Sequence, residues 1–340
     1  MQSKFLLQLS EITKIILEDK INYADLFSGL KDLKALFYEV SEIDITASEY
    51  GTDIHHETGK AIAPLWAGMC IDDLLRTKHF IKGTYKAIKK SLETKKGNPI
   101  TLLYIGTGPF ATLVLPLTTV FKPEELQLIL VEVNPLSVSS LKKCITVFGV
   151  ESYVKEIIST DAVQLMLENA HEIDILLLEC LQFALVKEQQ VALTYNLIPQ
   201  LRKDVILIPE EIKLSLTLTD SIKKMKFMYS FSDDEKQSYY KKLNTIFLLN
   251  KETVLNSNQT AKNLKFPEIT TLIPEEDKNN YNSVVIATEI CVYEDEKLPI
   301  DDSSLTMCYK ISSMKDVLAK KEVKTKYIVN EKPSWEIEFI

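Results

Sequence analysis

Apolar residues recur at three- and four-residue spacing through Phe5, Leu6, Leu9, Ile12, Ile15 and Ile16, and again through Ile71, Leu74, Leu75 and Phe80. That period predicts a helical region over residues 1–96. Thr94-Lys95-Lys96-Gly97-Asn98-Pro99 then breaks the pattern with polar residues, a glycine and a proline, which marks a domain boundary just before a strand. Over 97–208, short apolar runs at 100–105, 126–131, 153–158, 173–178 and 205–208 alternate with helical periods. Such alternation predicts an α/β domain, a parallel sheet with crossover helices on both faces. The longest apolar run, 110–121, reads as a buried helix and falls short of the ~20 residues that span a bilayer. After Pro209 the pattern changes to period two at 212–219, and 283–293 is rich in β-branched residues. Residues 209–340 are therefore expected to form a β-rich, mostly antiparallel domain. Asp233-Asp234-Glu235 and the helix formers behind it predict a helical insertion at about 232–249.

Composition narrows the function classes. The balance of 46% apolar and 26% charged residues is that of an ordinary globular protein. A net charge of −8 repels phosphate backbones, and no basic block with interleaved aromatics opposes it, so nucleic acid is not an expected partner. Lys4, Glu11 and Lys14 interrupt the apolar positions of the N-terminus and leave no signal-peptide core; no membrane partner is expected. Five scattered cysteines without C-x-x-C spacing imply reduced thiols, a cytoplasmic location and no zinc site. His55-His56-Glu57 lacks a third ligand, and adjacent histidines on a helix would diverge by ~100°. No metal is expected.

Candidate chemistry gathers at the ends of the apolar runs. Leu102 to Ile105 run into Gly106-Thr107-Gly108-Pro109-Phe110, a strand entering a Gly-x-Gly turn, with a helix expected behind it to offer free backbone N–H groups. The next strand ends in Val131-Glu132-Val133-Asn134-Pro135, which puts an acid where ribose hydroxyls are recognised in nucleotide-binding sheets. Together these features favour a nucleoside-containing cofactor. A dinucleotide stays open, although Ala111 stands where G-x-G-x-x-G needs its third glycine. Asp161 follows the third strand, as a helix N-cap, a ligand contact or both. Glu179 ends the fourth, directly after an apolar run, and a carboxylate there needs a partner or a ligand. The next carboxylate, Glu188, sits between Lys187 and Gln189 and reads equally well as a solvated residue.

Gly106-Thr107-Gly108-Pro109-Phe110 followed by Glu132 resembles motif I and the acidic strand end of class I S-adenosylmethionine-dependent methyltransferases. Three further stretches resemble the protein arginine methyltransferases: Asp73-Leu74-Leu75-Arg76-Thr77-Lys78-His79-Phe80, the pair Glu179 and Glu188 nine positions apart, and Leu207-Ile208-Pro209-Glu210 before an alternating strand. The resemblance implies a Rossmann-like sheet with an N-terminal helical region and a C-terminal barrel-like domain. It also implies S-adenosyl-L-methionine as cofactor. Arg76 would hold its carboxylate, Gly106, Thr107 and Gly108 the methionine and ribose, Glu132 the ribose hydroxyls, and Asp161 the adenine side. Glu179 and Glu188 would hold a cationic or amine nucleophile, the catalytic pair of an N-methyltransferase. The chain departs from the family at Tyr104, which replaces an acid, at Phe110, which replaces a glycine, and after Glu179, where Trp-Met-Gly is absent. All four histidines lie at or before His171, so Trp335 has no histidine for the family's Thr-His-Trp loop. The substrate is accordingly left as a peptide or protein arginine, a peptide amine or a small amine. The competing functions are a non-catalytic, cofactor-binding regulatory partner and an aminocarboxypropyl transferase of the nicotianamine synthase type. The family's dimerisation arm has its counterpart near 232–249, which implies a homodimer.

Overall fold

A computed structural model of the chain describes residues 4–44, 47–95, 97–230 and 239–340. Its N-terminal third is mainly helical, through α1 (Lys4–Leu17), α2 (Tyr23–Ser41), α3 (Pro64–Met69) and α4 (Leu74–Thr94). Two of these helices start where the sequence caps them: at α2, Asn22 accepts the N–H of Ala24 at 3.1 Å, and at α4, Asp73 accepts that of Arg76 at 3.2 Å. The apolar stripe of α1, Leu9, Ile12 and Ile16, is buried, and the Lys78 ammonium on α4 closes its C-terminus by donating to the Ile16 and Glu18 carbonyls at 2.7 and 2.6 Å. An all-helical N-terminal region needs correction: a hairpin of β1 (Ile54–His56) and β2 (Gly59–Ala61) interrupts it. His55 and His56 thus lie on a strand, where successive side chains point to opposite faces.

The parallel sheet forms where the apolar runs predict it. β3 (Ile100–Ile105), β4 (Leu126–Glu132), β5 (Val154–Ser159), β6 (Ile175–Leu178) and β7 (Ile206–Ile208) pair in the order β5-β4-β3-β6-β7, all parallel. The strand order reverses beside β3, so the crevice at the carboxyl ends of β3 and β6 is the natural ligand position of such a sheet. The crossovers include α5 (Pro135–Phe148), capped by Asn134, and α6 (Gln190–Leu197). Residues 110–121 are mostly buried, Val120 excepted, but do not form the expected α-helix; they make turns and a short 3-10 helix, Leu115–Thr119. Two local features oppose the α-helix: Ala111 adopts the left-handed φ of 43°, and Pro116 cannot donate a backbone hydrogen bond. Phe110, in place of a glycine, fills a slot made by the N-terminal helices, stacked on Phe37 with ring centroids 5.2 Å apart.

Beyond Pro209 the chain is β-rich. β8 (Glu211–Thr219), β9 (Tyr240–Asn250), β11 (Ser283–Tyr293), β12 (Glu296–Leu298) and β13 (Tyr309–Ser313) form one antiparallel sheet; β10 (Ile269–Leu272), β14 (Glu322–Ile328) and β15 (Ser334–Phe339) form another. The helical insertion at 232–249 is corrected where it can be seen, because 240–249 belong to β9, paired with β8 along its length. Asp233-Asp234-Glu235 lie outside the described residues. A helix does precede them, α7 (Ser221–Ser230). The long helix α4 joins the two halves: His79 Nδ1 lies 2.7 Å and Lys86 Nζ 2.5 Å from the Glu296 carboxylate.

Candidate active site

The carboxyl edge of the parallel sheet opens into a cavity. Every site residue expected from sequence lines it: Arg76, Gly106, Thr107, Gly108, Glu132, Asp161, Glu179 and Glu188. Their order along the edge follows the strands, Asp161 after β5, Glu132 at β4, the glycine turn after β3 and Glu179 after β6.

The glycine turn is built without the expected run of free N–H donors. Gly106 and Thr107 donate to the Val131 carbonyl at 2.9 and 3.4 Å, and Gly108 donates to Glu132 Oε2 at 2.8 Å. The other oxygen of Glu132 accepts from Asn134 N–H at 2.8 Å. Burial pushes the Glu132 carboxyl up from its usual value, while these backbone donors pull it down. Each carboxylate oxygen keeps a lone pair for a hydroxyl in the cavity. At Gly106, φ is +73° and an added Cβ would lie 2.3 Å from Cys180 Sγ. Gly106→Ala should cost about 1–2 kcal/mol for the left-handed backbone alone, plus a steric part that Cys180→Ala gives back. Chemical unfolding of the two variants measures both parts; equal loss in both would remove the steric account.

Arg76 does not pair with its helix neighbours. Asp72 pairs with Lys34 at 2.5 Å, and Asp73 caps α4 and accepts from Ser304 at 2.6 Å. Arg76 Nη2 instead donates to Glu179 Oε2 at 2.5 Å, with both side chains about nine-tenths buried (11% and 8% exposed). Burial opposes the Arg76 cation, but Glu179 outweighs it and holds the guanidinium charged. Burial raises the Glu179 carboxyl, and Arg76 pulls it back. Glu179 Oε1 is buried with no hydrogen-bond partner among the described residues. An orphaned buried carboxylate oxygen facing a cavity is a vacancy for a donor.

Glu188 is not the solvated residue its neighbours imply; it is 7% exposed. Burial, and then the negative charge of Glu179, push its carboxyl up to about 7, with Arg76, Lys60 and Gln182 acting against them. The loop between the two glutamates puts Ala184, Leu185 and Lys187 in the left-handed region, at φ 56°, 53° and 71°. Such strain in non-glycine residues survives only where surroundings over-determine it. Here Thr288 Oγ1 accepts from Ala184 N–H at 2.8 Å, Trp335 Nε1 donates to the Ala184 carbonyl at 2.9 Å, Tyr327 donates its hydroxyl to the Leu185 carbonyl at 2.6 Å, and Lys187 N–H donates to the Pro333 carbonyl at 2.9 Å. Trp335 therefore serves the site as a clamp on the loop's backbone.

From the other side, β2 lies on the loop. Lys60 N–H donates to the Lys187 carbonyl at 2.9 Å, and Gly59, at φ +134°, leaves no room for a Cβ, which would sit 2.9 Å from that carbonyl. Gln189 donates to Thr58 at 3.0 Å, and Gln190 fixes the end of β6 by accepting the Cys180 N–H at 3.0 Å. Lys60, Cys70, Tyr104, Cys180 and Gln189 line the cavity and were not singled out as site residues; no spacing in the sequence marks them. Trp66 and Met69 are half-exposed on a neighbouring outer groove, and Tyr85 packs on Phe121 at 5.5 Å. Asp161 caps a turn, not a helix: its Oδ1 accepts from Val163 N–H at 3.0 Å, and Oδ2 lies 3.1 Å from His56 Nδ1.

No family model and no curated protein matches this sequence. Solved structures do match its fold. The chain is similar to the structure of PRMT6-SAH at 9% identity and TM-score 0.56, covering 81% of this chain and 99% of that one. It is similar also to a structure of PRMT6 at 10% identity and TM-score 0.54, with the same coverage. The fold is therefore that of the protein arginine methyltransferases, a Rossmann-like sheet with a β-rich C-terminal domain.

Proposed function

We propose that the chain is an S-adenosylmethionine-dependent N-methyltransferase acting on a cationic nitrogen nucleophile, a peptide or protein guanidinium or an amine. The observation that carries the proposal is the buried, partnerless Glu179 Oε1 beside Glu188, in the cavity that continues past Glu132 and Asp161. The likeness in fold to PRMT6-SAH supports it. The cofactor, when bound, supplies an already activated methyl electrophile. Glu132 receives ribose hydroxyls, and Arg76, with donors to spare beyond its bond to Glu179, receives the cofactor carboxylate. Glu179 and Glu188 hold the substrate nitrogen in line, and Glu188, with its carboxyl near 7, takes the proton it sheds.

A second reading, a cofactor-binding partner without turnover, draws on Arg76 already occupying one oxygen of Glu179. Calorimetric titration with S-adenosylhomocysteine comes first. Wild type and Glu188→Gln should bind it, and Glu132→Ala should not. Product mass then separates the readings, since one added methyl per turnover supports the enzyme and none supports the partner. Wild-type protein that fails to bind S-adenosylhomocysteine overturns both.

A further inference from the structure

The N-terminal hairpin borders the cavity on two sides, with β2 on the glutamate loop and the end of β1 beside Asp161. Its strand β1 ends at His56, whose Nδ1 lies 3.1 Å from Asp161 Oδ2, while His56 Nε2 is buried without a hydrogen-bond partner among the described residues. Neither side chain is at the surface: His56 and Asp161 are 16% and 18% exposed. Asp161 Oδ1 accepts from Val163 N–H, and Oδ2 lies beside the imidazole at 3.1 Å. Each oxygen keeps one lone pair, and the carboxylate lines the cavity.

The strand order fixes what this end of the cavity meets. A ligand whose ribose lies on Glu132, at the end of β4, and whose charged tail lies on Arg76, beyond β3, has only its base left for the end of β5. An oriented carboxylate there accepts from the exocyclic amine of adenine. We infer that His56 is a positioning residue for base recognition: it holds Asp161 in the rotamer that accepts the adenine amine, so the N-terminal hairpin sets the cofactor's base specificity. The inference rests on the cofactor reading above. The same hairpin touches the glutamate loop through Thr58, Gly59 and Lys60, so the contact also ties base recognition to the placement of Glu188.

The test is calorimetric titration of the full chain with S-adenosylhomocysteine and with its analogue bearing hydrogen in place of the exocyclic amine. Wild type should prefer the natural ligand by roughly ten-fold, the scale of one hydrogen bond to a charged acceptor. His56→Ala should lose most of that preference by weakening the natural ligand alone. His56→Asn, whose amide nitrogen stands near the position of Nδ1, should restore it. Equal weakening of both ligands in His56→Ala, with the preference kept, would show a merely structural hairpin and overturn the inference. Equal affinity of wild type for both ligands would overturn it while leaving the cofactor reading intact. Binding of neither by wild type would overturn the cofactor reading, and the inference with it.

Discussion

Glu188→Gln is expected to stabilise the folded chain by about 3 kcal/mol above pH 7 and to gain nothing below pH 4.5. The sign follows from the direction of the displacement. A carboxyl raised from 4.5 to about 7 on folding binds its proton more tightly in the fold. Below both values each state is protonated, and the side chain costs no more than the amide. As pH rises from 4.5 to 7 the unfolded chain ionises freely while the fold resists, so stability falls across that window and levels off above it. The glutamine variant carries no such charge and should keep its stability there. On the function proposed above, its turnover should fall with the loss of the proton acceptor, the pattern of a group kept for activity at a cost in stability. Urea unfolding of both chains at pH 5 and pH 8 reads the effect. Coincident midpoints at pH 8 would mean that Glu188 is more hydrated than its 7% exposure implies.

Much of this site was legible in the sequence because its residues sit at strand ends, and buried parallel strands leave nearly continuous apolar runs that locate those ends. Gly106, Glu132 and Glu179 each follow such a run directly, and Asp161 comes two polar residues after one. Fold elements without that signal were missed. The three-residue strands Ile54–His56 and Gly59–Ala61 are too short for any period to register. The strand Tyr240–Asn250 opens on Tyr-Lys-Lys-Leu-Asn-Thr, and its ladder with β8 carries two register shifts that break strict alternation. The stretch 110–121 has helix-like hydrophobicity, but Ala111 and Pro116 redirect the backbone. Partner choice was equally invisible. Arg76 and Glu179 are 103 positions apart, and nothing local favours Glu179 over Asp72 or Asp73. The burial of Glu188 depends on a hairpin and a C-terminal domain folding over it from opposite sides, which Lys187 and Gln189 beside it conceal.

Glu179→Gln should act in the opposite sense to Glu188→Gln, although the two residues share one cavity and one carboxylate chemistry. Glu179 is the counter-ion of Arg76, a cation with an 11% exposed side chain. Removing one partner of a buried pair leaves the other charge uncompensated, which costs about 3–5 kcal/mol. Glu188 offsets part of that cost, because loss of the neighbouring negative charge and the free guanidinium both lower its carboxyl below 7. The single variant should therefore be destabilised and should also lose much of the decline in stability between pH 4.5 and 7. Arg76→Met should be destabilised as well, since it leaves Glu179 unpaired and buried. Arg76→Met with Glu179→Leu should be more stable than either single variant, as replacement of a whole buried pair by apolar groups removes both desolvation costs. Unfolding free energies of wild type, Arg76→Met, Glu179→Leu and the double variant at pH 8 close the cycle. Single-variant losses that simply add in the double variant would show that the two side chains do not depend on each other. In that case the guanidinium would be free to serve the cofactor carboxylate without Glu179, and Glu179 would be free for a substrate cation on both of its oxygens.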